Sequence, residues 1–499
     1  MGEKPVKGEV KPDRLGNVLQ QADKDRDRLN SEAFGPGALT ALGIASVVGA
    51  GIFVTTGTAA AEYAGPAVII SFILAGIAAG LTALCYAEMA AMIPIAGSTY
   101  SYVFAAFGVF MAWFIGWDLL LEYLFAASTV AVGWSGYFVG LMNSIGIHIP
   151  HDLANPPFGD GGGIINLPAL GVVALTTLLL TLGTKETVRA NNTMVALKVG
   201  ALLIFIAVGA FNVDTSLWSP FVPGNEGSFG DFGGSGVVRA AGVVFFAYVG
   251  FDAVSTAAGE SRNPQRTVPI GLLGTVIIST VLYVAVGLVI TGLVPYHTLN
   301  VADPLSAALR GTPSHINWLE DLMNVAAVVG LFATVLVTFY GQTRILMRMS
   351  SDGLLPARFG KVSPKSKTPI FTTIVCGVAG AIIAALLPID ILGELVSIGT
   401  LFSFVLVAIG VLVLRRTHPD TPRPFRVPAV KVIAPAAIVC SVGLMATLPL
   451  DTWIRLFVWL MIGLVIFFSY GRKRSDLIMA KLMKEAQDEQ AAIQATKGP

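Results

Sequence analysis

The sequence predicts an all-helical (all-α) integral membrane protein in which two membrane helices are interrupted. Of its 499 residues, 54% are hydrophobic and only 13% are charged, and the mean hydropathy is +0.74. A soluble domain carries about 25% charged residues, so most of this apolar surface must face lipid. The second observation is a glycine interruption within two long apolar segments, at Gly49–Gly51 and at Gly250. The net charge of +1 offers no basic surface for nucleic acid.

Twelve apolar segments are long enough to cross ~30 Å of hydrocarbon. Numbered in chain order as segments 1 to 12, they cover residues 37–61, 67–91, 104–141, 167–183, 192–211, 237–259, 270–294, 325–349, 370–387, 391–414, 430–448 and 453–470. Segment 3 could form one tilted helix or two short ones. Counting one helix places 28 of the 32 Lys and Arg residues on one side, which the positive-inside rule assigns to the cytoplasm. We therefore predict twelve helices in the plasma or inner membrane, with both termini cytoplasmic.

The chain divides into two repeats with flanking regions. We expect an N-terminal tail at 1–36, a first repeat at 37–211, an extracellular loop at 212–236, a second repeat at 237–414, two further helices at 415–470 and a C-terminal tail at 471–499. Segments 1–5 align with segments 6–10 at an offset of about 200 residues. Because each repeat has an odd number of segments, the second is expected upside down. In the N-terminal tail, residues 13–30 fit either a surface helix or a solvated tail. In the C-terminal tail, residues 475–495 fit either a charged helix or a disordered tail.

The two interruptions predict a binding site. Lipid offers no hydrogen-bond partners, so interrupted backbone is tolerated only where it lines an enclosed cavity. Free N–H groups at Gly49–Gly51 could hold a carboxylate, and the carbonyls of Phe246, Ala247 and Val249 could accept from an ammonium group. This pairing suits an amino acid, with Phe246 as a cover over it or as an ordinary packing aromatic. The alternative for both interruptions is close helix packing, since the chain has 54 glycines.

Four ionisable residues lie inside apolar segments, where they mark function by default: Asp118, Glu122, Lys198 and Asp252. Asp118 and Glu122 are four residues apart and share a helix face. Lys198 could carry a proton reversibly, or its side chain could snorkel to the inner surface. Glu122 and Asp252 could neutralise Lys198, recognise a cationic substrate side chain, or form a static internal pair.

The other polar residues give weaker indications. Glu88 and Glu260 end segments 2 and 6 on the cytoplasmic side, where helix-end charges are commoner than gating contacts. Cys85, Cys376 and Cys440 are scattered in apolar segments and predict neither a disulfide framework nor a metal site. Without a phosphate-binding loop or a catalytic triad motif, the chain is predicted to be neither an enzyme nor an ATP-driven pump.

Three motifs resemble the amino acid–polyamine–organocation superfamily, specifically bacterial relatives of the cationic amino acid transporters. They are Gly49–Val54, Ile115–Leu124 and Gly250–Thr256, supported by Glu260–Pro269 and Arg344–Pro356. The similarity extends over about 40 to 430. It implies a LeuT-type five-plus-five inverted repeat with broken helices 1 and 6, and with segments 11 and 12 outside the repeat.

The resemblance also implies roles for individual residues. It places α-carboxylate binding at Gly49–Gly51, α-amino binding at the segment 6 carbonyls, and an occluding aromatic at Phe246. Lys198 matches the place where sodium-coupled relatives hold an ion, while Glu122 and Asp252 match acidic positions associated with substrate or coupling. Two departures stand out: Ala50 replaces a hydroxyl residue of some relatives, and Gly259 replaces a second acid beside Glu260, which puts a two-carboxylate inner gate in doubt.

Together these features predict a secondary active transporter of cationic and/or small neutral L-amino acids, coupled to protons and working by alternating access. The alternatives are an exchanger or facilitator of the same fold, a non-transporting amino acid sensor, and a channel. The expected partners are the amino acid, protons and the lipid bilayer, and a small membrane accessory subunit is left open. No cofactor or metal is expected beyond the proton gradient that drives transport.

Overall fold

A computed structural model describes residues 16, 35–93, 98–159, 162–182, 187–256, 261, 263–312, 316–364, 366 and 368–472. Apart from Gly16, the N-terminal tail up to Phe34 lies outside the described residues, and so does the C-terminal tail after Arg472. The predicted tail helices, Gly259 and Glu260 therefore have no structural account.

The regular elements in the described residues are helices. The α-helices are Pro36–Val47, Thr56–Ala59, Val68–Met92, Ser98–Phe107, Val109–Ser144, His151–Ala154, Leu167–Leu182, Thr187–Gly209, Gly233–Val244, Ala253–Thr256, Pro264–Leu293, Pro304–Arg310, Asn317–Ser351, Ile370–Leu386, Ile389–Thr417, Val430–Thr447 and Leu450–Ile466. Wider π-helical turns occupy Gly51–Thr55, Ala60–Ala64 and Phe467–Gly471. Tighter 3-10 turns occupy Gly65–Ala67, Ala210–Asn212, Thr215–Trp218, Phe245–Tyr248 and Tyr296–Thr298.

Nine helical stretches among the described residues have the length and apolarity to cross a membrane. Three shorter apolar helices, Pro36–Val47, Leu167–Leu182 and Ile370–Leu386, lie in segments 1, 4 and 9. At about 1.5 Å per residue, each alone spans less than ~30 Å of hydrocarbon. Large apolar side chains such as Val281 and Phe457 are each 65% exposed, as lipid-facing residues would be. The protein is therefore an all-helical membrane protein, and the count of twelve membrane helices stays a prediction.

Segment 3 forms one long helix, which begins later than predicted. Val109–Ser144 is continuous over 36 residues, which agrees with the single helix inferred from loop charge. The predicted segment begins at residue 104, but Gly108 has a φ of +86° and separates the short helix Ser98–Phe107 from the long one. Glycine adopts this left-handed conformation at little steric cost, so the chain turns there.

Both predicted interruptions are present in the backbone. The helix Pro36–Val47 ends at Val48, whose backbone is extended, and helical turns resume at Ala50. In segment 6, the 3-10 turn Phe245–Tyr248 is followed by extended Val249 and by Gly250 at a φ of +101°. A residue with a side chain rarely adopts that φ, so Gly250 permits a backbone turn that any other residue would strain.

Segments 1, 2, 6 and 7 pack into a first helix group. The Tyr248 hydroxyl of segment 6 donates to Phe72 O of segment 2 at 2.8 Å and lies 3.0 Å from the Thr280 hydroxyl of segment 7. The Thr275 hydroxyl of segment 7 donates to Gly271 O of its own helix at 2.7 Å and also lies 3.3 Å from Thr40 O of segment 1. Hydroxyl–carbonyl bonds of this kind are a main source of specific helix association in lipid.

Segments 3, 8, 10 and 12 form a second helix group around segment 3. The Trp134 indole of segment 3 donates to Val328 O of segment 8 at 2.8 Å. Trp117 and Trp459 stack at 4.9 Å, and each indole N–H donates to the other residue's backbone carbonyl, at 2.8 and 2.9 Å. Segment 12 is thus fixed to segment 3 by a reciprocal pair of bonds. The two helix groups meet along the interrupted helices.

Candidate functional site

The two helix interruptions contact each other directly. A Cβ atom built on Gly51 would lie 2.6 Å from Ala247 Cβ and 2.8 Å from Ala247 N, well inside van der Waals contact. A Cβ on Gly250 would lie 3.3 Å from Ser46 O, near the end of the helix Pro36–Val47 of segment 1. The N-terminal turn at Gly49–Gly51 and the non-helical backbone around Gly250 therefore line the same small region.

Tyr283 joins the two interruptions from segment 7. Its hydroxyl lies 3.1 Å from Val47 O and 2.9 Å from Ala247 O, and it is buried. A hydroxyl has one hydrogen, so it can donate to only one of these carbonyls at a time. The Ala247 carbonyl predicted to bind an ammonium group thus already has a donor. Phe246 O likewise accepts from Val249 N at 3.1 Å.

The remaining walls near the interruptions are apolar and buried. Ala50 is fully buried and faces segment 3, where a Cβ on Gly133 would lie 3.4 Å from Ala50 Cβ. Phe246 is 5% exposed. The Tyr137 hydroxyl of segment 3 donates to Phe53 O at 2.7 Å, which fixes the part of segment 1 after the interruption against segment 3. The predicted contact residues therefore surround one enclosed region of small side chains and backbone.

Lys198 reaches the first interruption from segment 5. Its ammonium donates to Ala45 O at 2.8 Å and to the Thr334 hydroxyl at 3.0 Å, and its side chain is 1% exposed. The alternative that Lys198 snorkels to the inner surface is therefore wrong. The methylene stem packs on Gly330, where a Cβ would lie 2.6 Å from Lys198 Cβ. Lys198 links segments 1, 5 and 8.

Thr334 places Lys198 next to the predicted carboxylate site. A Cβ on Gly49 would lie 3.4 Å from Thr334 Cγ2, and the Thr334 hydroxyl in turn donates to Gly330 O at 3.0 Å. The ammonium group and the Gly49 backbone are thus separated by one threonine side chain. A change in the hydrogen bonds of Lys198 would therefore reach the interrupted backbone through Thr334 alone.

Glu122, Asp118 and Asp252 form a separate acidic group. Asp252 and Asp118 are close enough to Glu122 to interact with it electrostatically, and all three are buried. Both Asp118 carboxylate oxygens and Glu122 Oε2 are buried without a hydrogen-bond partner in the described residues. Desolvated carboxyl groups of this kind are costly, and such groups cluster at functional sites.

Glu122 lies closer to the N-terminal end of segment 3 than the first interruption does. Ala50 is level with Gly133, whereas Glu122 precedes Gly133 by eleven residues on the same helix. At 1.5 Å per residue this separation is about 16 Å. Asp252 follows Gly250 by two residues, so the acidic group adjoins the second interruption. The structure therefore brings Glu122 together with Asp252, at a distance along segment 3 from the predicted carboxylate site.

Sequence reasoning missed Tyr283 and Thr334 as parts of this region. Both are polar residues in otherwise apolar segments, but such hydroxyls more often bond within their own helix, as Thr291 does to Gly287 O at 2.8 Å. It also missed Phe404 of segment 10, whose ring packs on Tyr86 at 5.5 Å and on Phe251 at 5.0 Å. In the described part of the chain, no group of three or more His, Cys, Asp and Glu side chains is arranged to hold a metal ion.

Apolar helices of membrane length and two interrupted helices in mutual contact define a polytopic membrane protein of the permease type. The family model for amino acid permeases matches residues 34–468. The chain belongs to this family and, through it, to the amino acid–polyamine–organocation superfamily, as its motifs indicate.

Several curated relatives are similar over most of the chain. The methylthioribose transporter of Bacillus subtilis is 45% identical over 88% of this chain and 93% of its own length. The branched-chain amino acid permease BcaP of the same organism is also 45% identical, over 88% and 93%. The vacuolar cationic amino acid transporter 4 of Arabidopsis thaliana is 38% identical over 77% of this chain and 63% of its own length. These relatives are transporters by name, and the chain is accordingly a membrane transporter rather than an enzyme.

Proposed function

We propose that the protein is a secondary active transporter of cationic and/or small neutral L-amino acids, coupled to protons and working by alternating access in the cell membrane. The direct contact between the two helix interruptions carries this proposal. The proposal includes twelve membrane helices arranged as a LeuT-type five-plus-five inverted repeat, with both termini cytoplasmic. The names of the branched-chain and cationic amino acid relatives support the substrate class.

The substrate would bind by its backbone groups at the interruptions. The first turn of an interrupted helix has N–H groups without a carbonyl partner, and at Gly49–Gly51 they would hold the α-carboxylate. The α-amino group would lie at the non-helical backbone from Phe246 to Gly250. Because the carbonyls of Phe246 and Ala247 already accept hydrogen bonds, the ammonium group would share or replace those donors. Phe246 would then cover the substrate.

Lys198 would couple this site to the proton gradient. Its charged form donates to Ala45 O and to the Thr334 hydroxyl, which ties segment 1 to segments 5 and 8. A neutral amine donates fewer and weaker hydrogen bonds, so loss of the proton would loosen segment 1 from the second helix group. The proton would thereby bias the equilibrium between the outward- and inward-facing states.

Glu122 and Asp252 would act on the inner half of the pathway. Since Glu122 lies about 16 Å from the level of Ala50 along segment 3, these acids would influence a cationic substrate as it leaves rather than as it binds. Asp118, one turn further toward the cytoplasm, extends the same row.

Uptake into proteoliposomes tests the proposal. Radiolabelled alanine and lysine are offered with an imposed inward pH gradient, and unlabelled amino acids compete in turn. We expect accumulation above equilibrium that a protonophore abolishes. Counterflow without gradient-driven accumulation would instead indicate an exchanger or facilitator, and a lack of any amino acid uptake would contradict the proposal.

The methylthioribose relative favours a second candidate substrate, a neutral thio-sugar. It is as similar to this chain as the branched-chain permease is. Such a sugar has neither a carboxylate nor an ammonium group, so it would not use the free N–H groups at Gly49–Gly51. Adding methylthioribose to the competition panel separates the two: strong inhibition by the sugar, together with none by any amino acid, would favour the thio-sugar.

A further inference from the structure

An ion pair joins segment 2 to segment 10 at their cytoplasmic ends, between a buried Glu88 and an Arg415 side chain that is 25% exposed. Glu88 of segment 2 is 1% exposed and accepts from Arg415 of segment 10 through both carboxylate oxygens, with Arg415 Nε to Glu88 Oε1 at 2.8 Å. A two-bond arginine–carboxylate pair fixes distance and orientation more strictly than a single contact. Glu88 is thus not an ordinary helix-end charge in the membrane interface.

The loop that follows segment 10 completes the same network. Val427 N donates to Glu88 Oε2 at 2.7 Å, and Arg423 Nε lies 3.5 Å from Glu88 Oε1. The rest of the Arg423 guanidinium donates to backbone carbonyls of its own loop and of the end of segment 10: Leu414, His418, Pro419 and Thr421. The loop is folded around Arg423, so Glu88 binds an ordered loop rather than a single flexible side chain.

This network crosses between the two helix groups. Segment 2 packs with segments 6 and 7, whereas segment 10 packs against segment 3, where a Cβ on Gly399 would lie 3.3 Å from Asp118 Oδ1. The rings of Phe404, Tyr86 and Phe251 pack across the same boundary, nearer the membrane interior. Any motion that opens the cytoplasmic side between these groups has to separate Glu88 from Arg415.

We propose that Glu88, Arg415 and Arg423 form an inner clamp that holds the cytoplasmic side closed and releases it in the inward-facing state. The proposal rests on alternating access as the proposed function. Glu88 is buried in the closed clamp, whereas Arg415 is already 25% exposed. Both sit at the cytoplasmic ends of their helices, where opening would expose Glu88 to water. Separation therefore replaces protein partners with hydration, and the clamp can open reversibly. Replacing Glu88 removes the acceptor shared by Arg415, Arg423 and Val427 N, and replacing Arg415 removes the two-bond donor of the buried Glu88. Either change weakens the closed state selectively.

Cys85 provides a native reporter for clamp opening. It is fully buried and lies close enough to Glu88 and Arg415 to interact with them electrostatically. In a background carrying Cys376→Ala and Cys440→Ala, a membrane-permeant maleimide would report exposure of Cys85 in proteoliposomes without substrate. We expect Glu88→Gln to raise the labelling rate by about tenfold or more. Arg415→Gln should do the same, and the double variant should add little because both changes remove one interaction.

A matched control removes a carboxylate on the same side of the membrane whose bonds do not connect the two helix groups. Asp352 pairs with Arg348 at 3.3 Å and accepts from Tyr100 at 2.8 Å, all near the cytoplasmic ends of segments 3 and 8. Asp352→Asn should leave Cys85 labelling unchanged. If Glu88→Gln folds poorly, Arg415→Lys keeps the charge but loses the two-bond geometry, and a smaller increase is expected.

Two results would overturn the inner clamp. One is Cys85 labelling that stays at the wild-type rate in folded Glu88→Gln, Arg415→Gln and Arg415→Lys proteins. The other is an equal increase in Asp352→Asn. Labelling is measured without transport, so either result leaves the proposed transport function standing, whereas failed uptake with the expected labelling would count against transport alone.

Discussion

Gly51 packs directly against the backbone of Ala247, so the two interrupted helices touch where both lose regular geometry. A methyl group at position 51 would lie 2.6 Å from Ala247 Cβ, and either backbone must move to admit it. We expect Gly51→Ala to abolish transport and to lower stability by about 1–3 kcal/mol through overpacking. Uptake and thermal unfolding in detergent measure the two effects.

Gly80 supplies the control for this prediction. A Cβ at Gly80 would meet nothing within 4 Å, so Gly80→Ala should keep both transport and stability. Wild-type uptake by Gly51→Ala would show that the close contact between the interruptions is not required.

The structure separates what the sequence could predict from what it could not. The interruptions at Gly49–Gly51 and Gly250 were predictable because glycines interrupt two long apolar segments at positions that align at an offset of about 200 residues. The reason for Gly51 was not predictable, since a glycine needed for close packing and a glycine needed for close approach of a ligand look the same in the sequence. The structure shows the close packing, on Ala247.

The acidic residues show a second limit. The sequence identified Asp118, Glu122 and Asp252 as buried, and they are buried. The distance of Asp118 and Glu122 from the interruptions depends on how segment 3 is aligned with segment 1, and hydropathy does not encode that register. The partners of Lys198 were unpredictable for the same reason: Ala45 is 153 positions away and contributes a backbone carbonyl.

Tyr283 is expected to hold the two interruptions in register. Tyr283→Phe removes a buried donor shared by Val47 O and Ala247 O, which should lower stability by about 1 kcal/mol and raise the KM for the substrate. Tyr100→Phe is the matched control, since its buried hydroxyl donates to Asp352 at 2.8 Å, away from the interruptions. A KM increase in Tyr100→Phe as large as in Tyr283→Phe would count against this role.

Glu122 is expected to affect the rate for cationic substrates more than their binding. Glu122→Gln should slow lysine transport relative to alanine transport, while the Kd of each changes only a few-fold, because the carboxyl lies about 16 Å from the level of Ala50. Binding isotherms and initial rates on the same preparations separate the two quantities. A large loss of lysine affinity with unchanged alanine affinity would instead place Glu122 in contact with the substrate side chain.

The coupling role of Lys198 is tested most directly by comparing two kinds of uptake in one variant. Lys198→Gln removes the titratable amine that bonds to Ala45 O and Thr334, and Lys431→Gln removes an exposed lysine charge as the control. In proteoliposomes, we predict that Lys198→Gln retains amino acid counterflow but loses accumulation driven by a pH gradient, while Lys431→Gln keeps both. Full gradient-driven accumulation by Lys198→Gln would contradict the account.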